Sequence, residues 1–126
     1  MPLFSLDRIP VIEEKIRQYC DVRKSGYALT LFSGAAKLAP FVRYNVVALY
    51  FLGDQEALQR ELGLKPVDSG ANVLLLSPYD EGALAGLQES QGHKIVSTIQ
   101  LYLDLYSYGG RGREQAEFIR EKLLAI

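Results

Sequence analysis

The sequence predicts an α+β fold: a small, mainly antiparallel sheet with helices packed on it and two helices closing the chain. Three observations carry that prediction. Arg43–Leu52 (R-Y-N-V-V-A-L-Y-F-L) is rich in β-branched and aromatic residues, the composition that suits a pleated, half-buried surface. Val73–Leu76 (V-L-L-L) is apolar without alternation, which predicts burial on both faces and so the central strand. At both ends of the chain, apolar residues recur every three or four positions, as on one face of a helix. With 126 residues and 48% apolar content, one core and a single domain over residues 1–126 are expected.

Taken in order, the first helix starts at Asp7 or Ile9. Pro10 is tolerated in its first turn, where an N–H would have no partner, and Glu13 and Glu14 suit its positive end. Ile9, Ile12, Ile16, Tyr19 or Cys20, and Arg23 fall at three- and four-residue steps and give it one apolar face, and Lys24-Ser25-Gly26 ends it. Leu29-Thr30 leads into a short helix, Ser33 to Leu38, stopped by Pro40; its Ala35-Ala36 pair allows very close packing. After the Arg43–Leu52 strand, Asp54 caps a helix that Gly63 closes near Leu62. Lys65–Asp68 reads as a short edge strand and Ser69–Asn72 as a turn before Val73–Leu76. Asp80 to Gly92 predicts an irregular turn and loop, followed by a last strand over Lys94–Ser97. Helices over Thr98–Tyr106 and Arg111–Leu124 finish the chain, the second presenting Ala116, Ile119, Leu123 and Ile126 at helical spacing.

The net charge is −1, so a firm grip on a nucleic-acid backbone by this chain alone is not expected. The charge is uneven: seven Lys/Arg face four Asp/Glu over residues 1–43, and seven face eleven over residues 44–126. Cys20 is the sole cysteine and His93 the sole histidine, which excludes an intrachain disulfide, a thiolate zinc site and a His-pair metal site. Cys20 falls on the apolar face of the first helix and is read as core. No signal peptide is evident, and no apolar run approaches the ~20 residues that span a bilayer. A soluble, cytoplasmic domain without membrane contact is expected.

The candidate site lies in the stretch Ser97–Ala116. Gln100 and Asp104 stand one helical turn apart inside an apolar, tyrosine-rich run, and polar groups so placed need partners. Gly109-Gly110 lets the next helix fold back, so Arg111 and Arg113 could pair with Asp104 as a structural clasp. The same G-G-R-G-R segment offers backbone N–H groups, a helix N-terminus and two cations to an anion. It lacks the spacing of a phosphate-binding P-loop. Asp68 and Asp80 flank the Val73–Leu76 strand; with Asp104 they would make the carboxylate set of a metal-dependent, nucleic-acid-processing or nucleotide-binding enzyme. The one acidic-x-Lys triplet, Glu13-Glu14-Lys15, sits on the first helix rather than on a strand. Tyr102, Tyr106 and Tyr108 offer an aromatic platform for bases or for a partner, including a second copy in a plain dimerisation module. Ser33-Gly34-Ala35 has the look of a nucleophile elbow, but the G-x-S-x-G pattern is missing.

Six segments in order carry a family resemblance. They are Y-A-L-T-x-F-S-x-A-A at Tyr27–Ala36, V-R at Val42-Arg43, A-L-Y at Ala48–Tyr50, G-A-N-V-x-L-L-x-P-x-D at Gly70–Asp80, Q-L-Y-L-D-L at Gln100–Leu105 and R-G-x-E-x-A-E at Arg111–Glu117. The series resembles the effector domain of AbiEi-type transcriptional regulators, the antitoxin half of type IV toxin–antitoxin systems. That resemblance implies a non-catalytic domain with no cofactor and no metal. It implies functional opposition to a nucleotidyltransferase-like toxin without a stable complex, and promoter DNA bound through an N-terminal winged helix. No winged-helix pattern precedes Tyr27, so the chain is expected to be the C-terminal part of such a regulator or a stand-alone relative. Gln100, Asp104, Arg111 and Arg113, with Arg43 and Asp80 behind them, are the expected functional residues, and a homo-oligomer is compatible with the exposed tyrosines.

Overall fold

A computed structural model describes residues 1–39, 43–78 and 81–124. Seven strands form one mixed sheet: β1 Pro2–Phe4, β2 Gly26–Thr30, β3 Val47–Leu52, β4 Lys65–Pro66, β5 Val73–Leu76, β6 Gln88–Ser90 and β7 His93–Ile95, in the spatial order β4-β1-β5-β3-β2-β7-β6. The helices are α1 Ile9–Arg23, α2 Leu31–Leu38, α3 Gln55–Leu62, α4 Thr98–Tyr108 and α5 Arg111–Ile119. A 3-10 turn occupies Glu81–Leu84, and α5 continues into π-type turns over Arg120–Leu124.

Alternation along the inner strands divides the core into two layers. Tyr27 and Leu29 of β2, Val47, Leu49 and Phe51 of β3, and Val73 and Leu75 of β5 face α1 and α3. Ala28, Ala48, Tyr50, Leu74 and Leu76 face α2, α4 and α5. On α1 the expected stripe is buried: Ile12, Ile16, Tyr19 and Cys20 are all under 7% exposed. Removing each of the two isoleucine side chains from water stabilises the fold by about 1.5–3 kcal/mol. The second layer uses small residues where helix approaches sheet, Ala35 and Ala36 of α2 among them, which is the close packing their pairing predicts.

The sheet is mixed because β3 pairs parallel with β5 and β2 parallel with β7, while four pairs are antiparallel. Its middle strand is β3. Val73–Leu76 lies beside it and is covered on both faces as expected, but β1 and β4 add only two strands beyond it. The strand expected from Arg43 begins at Val47, whose N–H bonds the carbonyl of Asn72; Arg43–Val46 stay outside the ladder. Three strands, β1, β2 and β6, fall where the sequence pattern predicts none, β6 inside the stretch expected to be an irregular turn and loop. In β2 the short run Tyr27–Thr30 carries the alternation, with Tyr27 and Leu29 on one face and Ala28 on the other. Asp54 caps α3 by accepting from the N–H of Ala57 at 3.1 Å, and Gly63 closes it at φ 68°, both as expected. Leu123 is exposed, off the buried stripe that Ala116 and Ile119 begin; Ile126 lies outside the described residues.

Candidate functional site

Strand β2 ends at Thr30 and turns sharply into α2 through Leu31, which sits in the left-handed region at φ 52°. That turn aims the Thr30 hydroxyl at α4, where it donates to Asp104 Oδ2 at 2.6 Å. Tyr50, on β3 beside it, donates its hydroxyl to the same oxygen at 3.0 Å. Gln100, one turn earlier on α4, donates Nε2–H to Asp104 Oδ1 at 2.8 Å. Ser97 caps the helix by accepting from the N–H of Gln100. Asp104 is half-buried, Thr30 fully buried and Tyr50 nearly so. Three donors therefore fix the carboxylate between sheet and helix, satisfying the polar groups that the apolar run encloses.

The clasp does not form. Among the described residues, no ion pair joins Asp104 to Arg111 or Arg113; Asp104 faces the sheet, whereas both arginines turn to aromatic rings. Arg111 lies 5.5 Å from the Phe32 ring centroid and Arg113 lies 5.0 Å from that of Tyr106. Arg111 instead meets Arg43 in a cleft of about 360 Å3, lined also by Phe32, Tyr44, Asn45, Tyr108, Gly109 and Gly110. Gly109 and Gly110 adopt φ of 79° and 51°, and a side chain added at either would meet nothing within 4 Å, so both border open space.

Asp80 lies outside the described residues. Asp68 sits at the β4 end of the sheet, beside Pro2 and Pro66. Asp104 is bound to β2 and β3, and β4 and β2 are four strand spacings apart, roughly 19 Å. Asp68 and Asp104 therefore do not share a site, and no group of three His, Cys, Asp or Glu able to hold a metal occurs among the described residues.

One charged cluster escaped the sequence reading. Glu13 of α1 and Lys37 of α2 form an ion pair at 2.9 Å with side chains only 4% and 10% exposed. Tyr44 donates to Glu13 at 2.8 Å, and Lys37 donates to Tyr44 at 2.9 Å. Desolvation works against the Lys37 ammonium, but hydrogen bonds to Tyr44 and Glu13 outweigh it, leaving its pKa above the ordinary lysine value. Helical spacing was the missed signal: Glu13 follows Ile12 directly and falls at the edge of the buried stripe.

Other nucleophile candidates are structural. The Ser33 hydroxyl donates to the carbonyl of Thr30 at 2.8 Å and accepts from the N–H of Ala48 at 3.0 Å, so it bridges β2 and β3 instead of facing a substrate. Burial pushes the Cys20 thiol up to about 11, far from a nucleophilic thiolate at neutral pH. His93 stands 3.4 Å from the Tyr27 hydroxyl through Nδ1. Asn72 also has a structural role: its side chain bonds both the N–H and the carbonyl of Ser5, joining the end of β1 to β5.

The residues behind the resemblance thus gather in space. Thr30, Tyr50, Gln100 and Asp104 come from three of its segments and form one network; Phe32, Arg43 and Arg111 also come from three and line one cleft. Among the described residues, no helix is long and apolar enough to cross a membrane. No curated protein and no solved structure matches the chain. A family model does: the one described as transcriptional regulator, AbiEi antitoxin, type IV TA system matches residues 11–125. With nearly the whole chain covered, this protein belongs to the AbiEi family of antitoxins and transcriptional regulators.

Proposed function

We propose that this chain is the non-catalytic effector domain of its regulator, opposing a nucleotidyltransferase-like toxin without forming a stable complex with it. The family match over residues 11–125 carries the reading. Contact with promoter DNA belongs, in this proposal, to a separate winged-helix unit; the near-neutral charge of the chain supports that division. The working surface is the face bearing α2, α4 and α5, where Arg43 and Arg111 stand exposed and the Asp104 network holds α4 to the sheet. Asp104, with three protein donors around it, acts as a framework group rather than as a general base.

Growth rescue tests this. Cells expressing the neighbouring nucleotidyltransferase-like toxin should recover when this chain is co-expressed. Arg111→Ala should rescue less well, while Arg60→Ala on α3, in the opposite layer, should rescue fully. Failure of a folded wild-type chain to rescue would reject the assignment of neutralisation to this domain. Full rescue by Arg111→Ala would move the working surface elsewhere.

A further inference from the structure

We infer that the cleft between the Arg43–Val46 segment and the α4–α5 turn binds a nucleoside phosphate. Its volume, about 360 Å3, is in the range of small-ligand sites. The lining combines two chemistries that such a ligand requires. Arg43 and Arg111 reach it from opposite sides in sequence, and neither is in an ion pair among the described residues. A guanidinium fork matches a phosphate bidentately, and two of them neutralise the charge of a phosphoryl group. Among the described residues, no Asp or Glu lines the cleft, so none of these walls repels that charge. Aromatic rings supply the second chemistry. Phe32 and Tyr108 pack edge to face at 5.6 Å between centroids, and Tyr108 keeps 58% of its surface exposed, available to a base.

The cleft is also held in place. Arg111 rests over Phe32, which limits its swing without consuming its hydrogen-bond donors. Tyr44 is fixed by the buried Glu13–Lys37 pair, whose charges are satisfied by each other and by the Tyr44 hydroxyl. A buried pair of this kind is costly to desolvate and adds little stability, so its consequence here is positional: it sets one wall of the cleft. Gly109 and Gly110 leave the opposite rim free of side chains, letting a phosphate approach the backbone.

Equilibrium titration of the intact chain with a fluorescent N-methylanthraniloyl nucleoside triphosphate tests the inference. Saturable one-to-one binding is expected, displaced by unlabelled nucleotides but not by the corresponding nucleosides. Arg43→Ala and Arg111→Ala should each weaken it tenfold or more, with circular dichroism and melting behaviour unchanged; Arg43, exposed and outside the ladder, is the variant least able to disturb the fold. Absence of binding at millimolar nucleotide, or binding indifferent to both substitutions, would overturn it. So would displacement by inorganic phosphate at the same concentration as by nucleotide, which would reduce the cleft to an anion site. Tighter binding of a ten-nucleotide single strand through the same arginines would overturn the assignment to a free nucleotide.

Discussion

Asp104 is held by its partners on the sheet, and that makes its energetics separable. Thr30 and Tyr50 both donate to Oδ2, so an amide in place of the carboxylate exchanges a charged acceptor for a weaker neutral one or turns an N–H toward the Thr30 hydroxyl. In double-mutant cycles on urea unfolding, Asp104→Asn with Thr30→Val should show coupling of about 1 kcal/mol. Asp104→Asn with Arg111→Ala should be additive within about 0.5 kcal/mol, because no contact joins them. Strong coupling in the second cycle would restore the clasp that the packing rejects. The sequence exposed Asp104 as a residue in need of partners but not which partners. Thr30 lies 74 positions away and Tyr50 lies 54, and only strand pairing brings them under α4.

At the scale of elements, the α4–α5 corner depends on two different properties of glycine. A Cβ at Gly112 would lie 2.4 Å from the Leu105 carbonyl oxygen and 3.0 Å from Tyr108 Cβ, so the two helices touch through the missing side chain. Gly110 has space around it but sits at φ 51°. Gly110→Ala should therefore cost about 1–3 kcal/mol in strain, since φ 51° with ψ −126° is a region essentially reserved for glycine, while Gly112→Ala must separate the helices and cost more. Thermal unfolding of the two variants checks the order; equal losses would mean that the corner is not closely packed. The G-G-R-G-R run announced a turn, and a turn is there. Its geometry turned the arginines toward aromatic rings because Phe32 and Tyr106 lie next to them, which no local pattern in the chain records.

Across the whole molecule, His93 links stability to pH. It is buried on β7, and desolvation holds its pKa below the ordinary 6.5; Glu13 and Glu14 pull it upward, Lys37 and Arg17 downward, and none overturns the burial effect. The unfolded chain therefore takes up this proton before the folded one does. The contribution of His93 is complete above the unfolded value and is lost as pH falls through about 6.5 toward the lower folded value. Urea midpoints of the wild type should fall between pH 7.5 and pH 5, and those of His93→Gln should fall less. Parallel profiles would show that His93 is solvated in the folded state.

Local chemistry alone determined much of this protein. β-Branched and aromatic composition marked β3, helical spacing marked α1 and α5, Asp54 and Gly63 bounded α3, and the apolar setting of Cys20 made it core. Those properties act between residues near in sequence, through backbone sterics and one buried face. The tertiary structure decided the rest: which strand lies in the middle, that Asp104 answers to Thr30 and Tyr50, that Glu13, Lys37 and Tyr44 meet, and that Arg43 and Arg111 share a cleft. Each of these depends on contacts between segments far apart in the chain, where the position of a charge is fixed by sheet order and helix crossing and not by its neighbours in sequence.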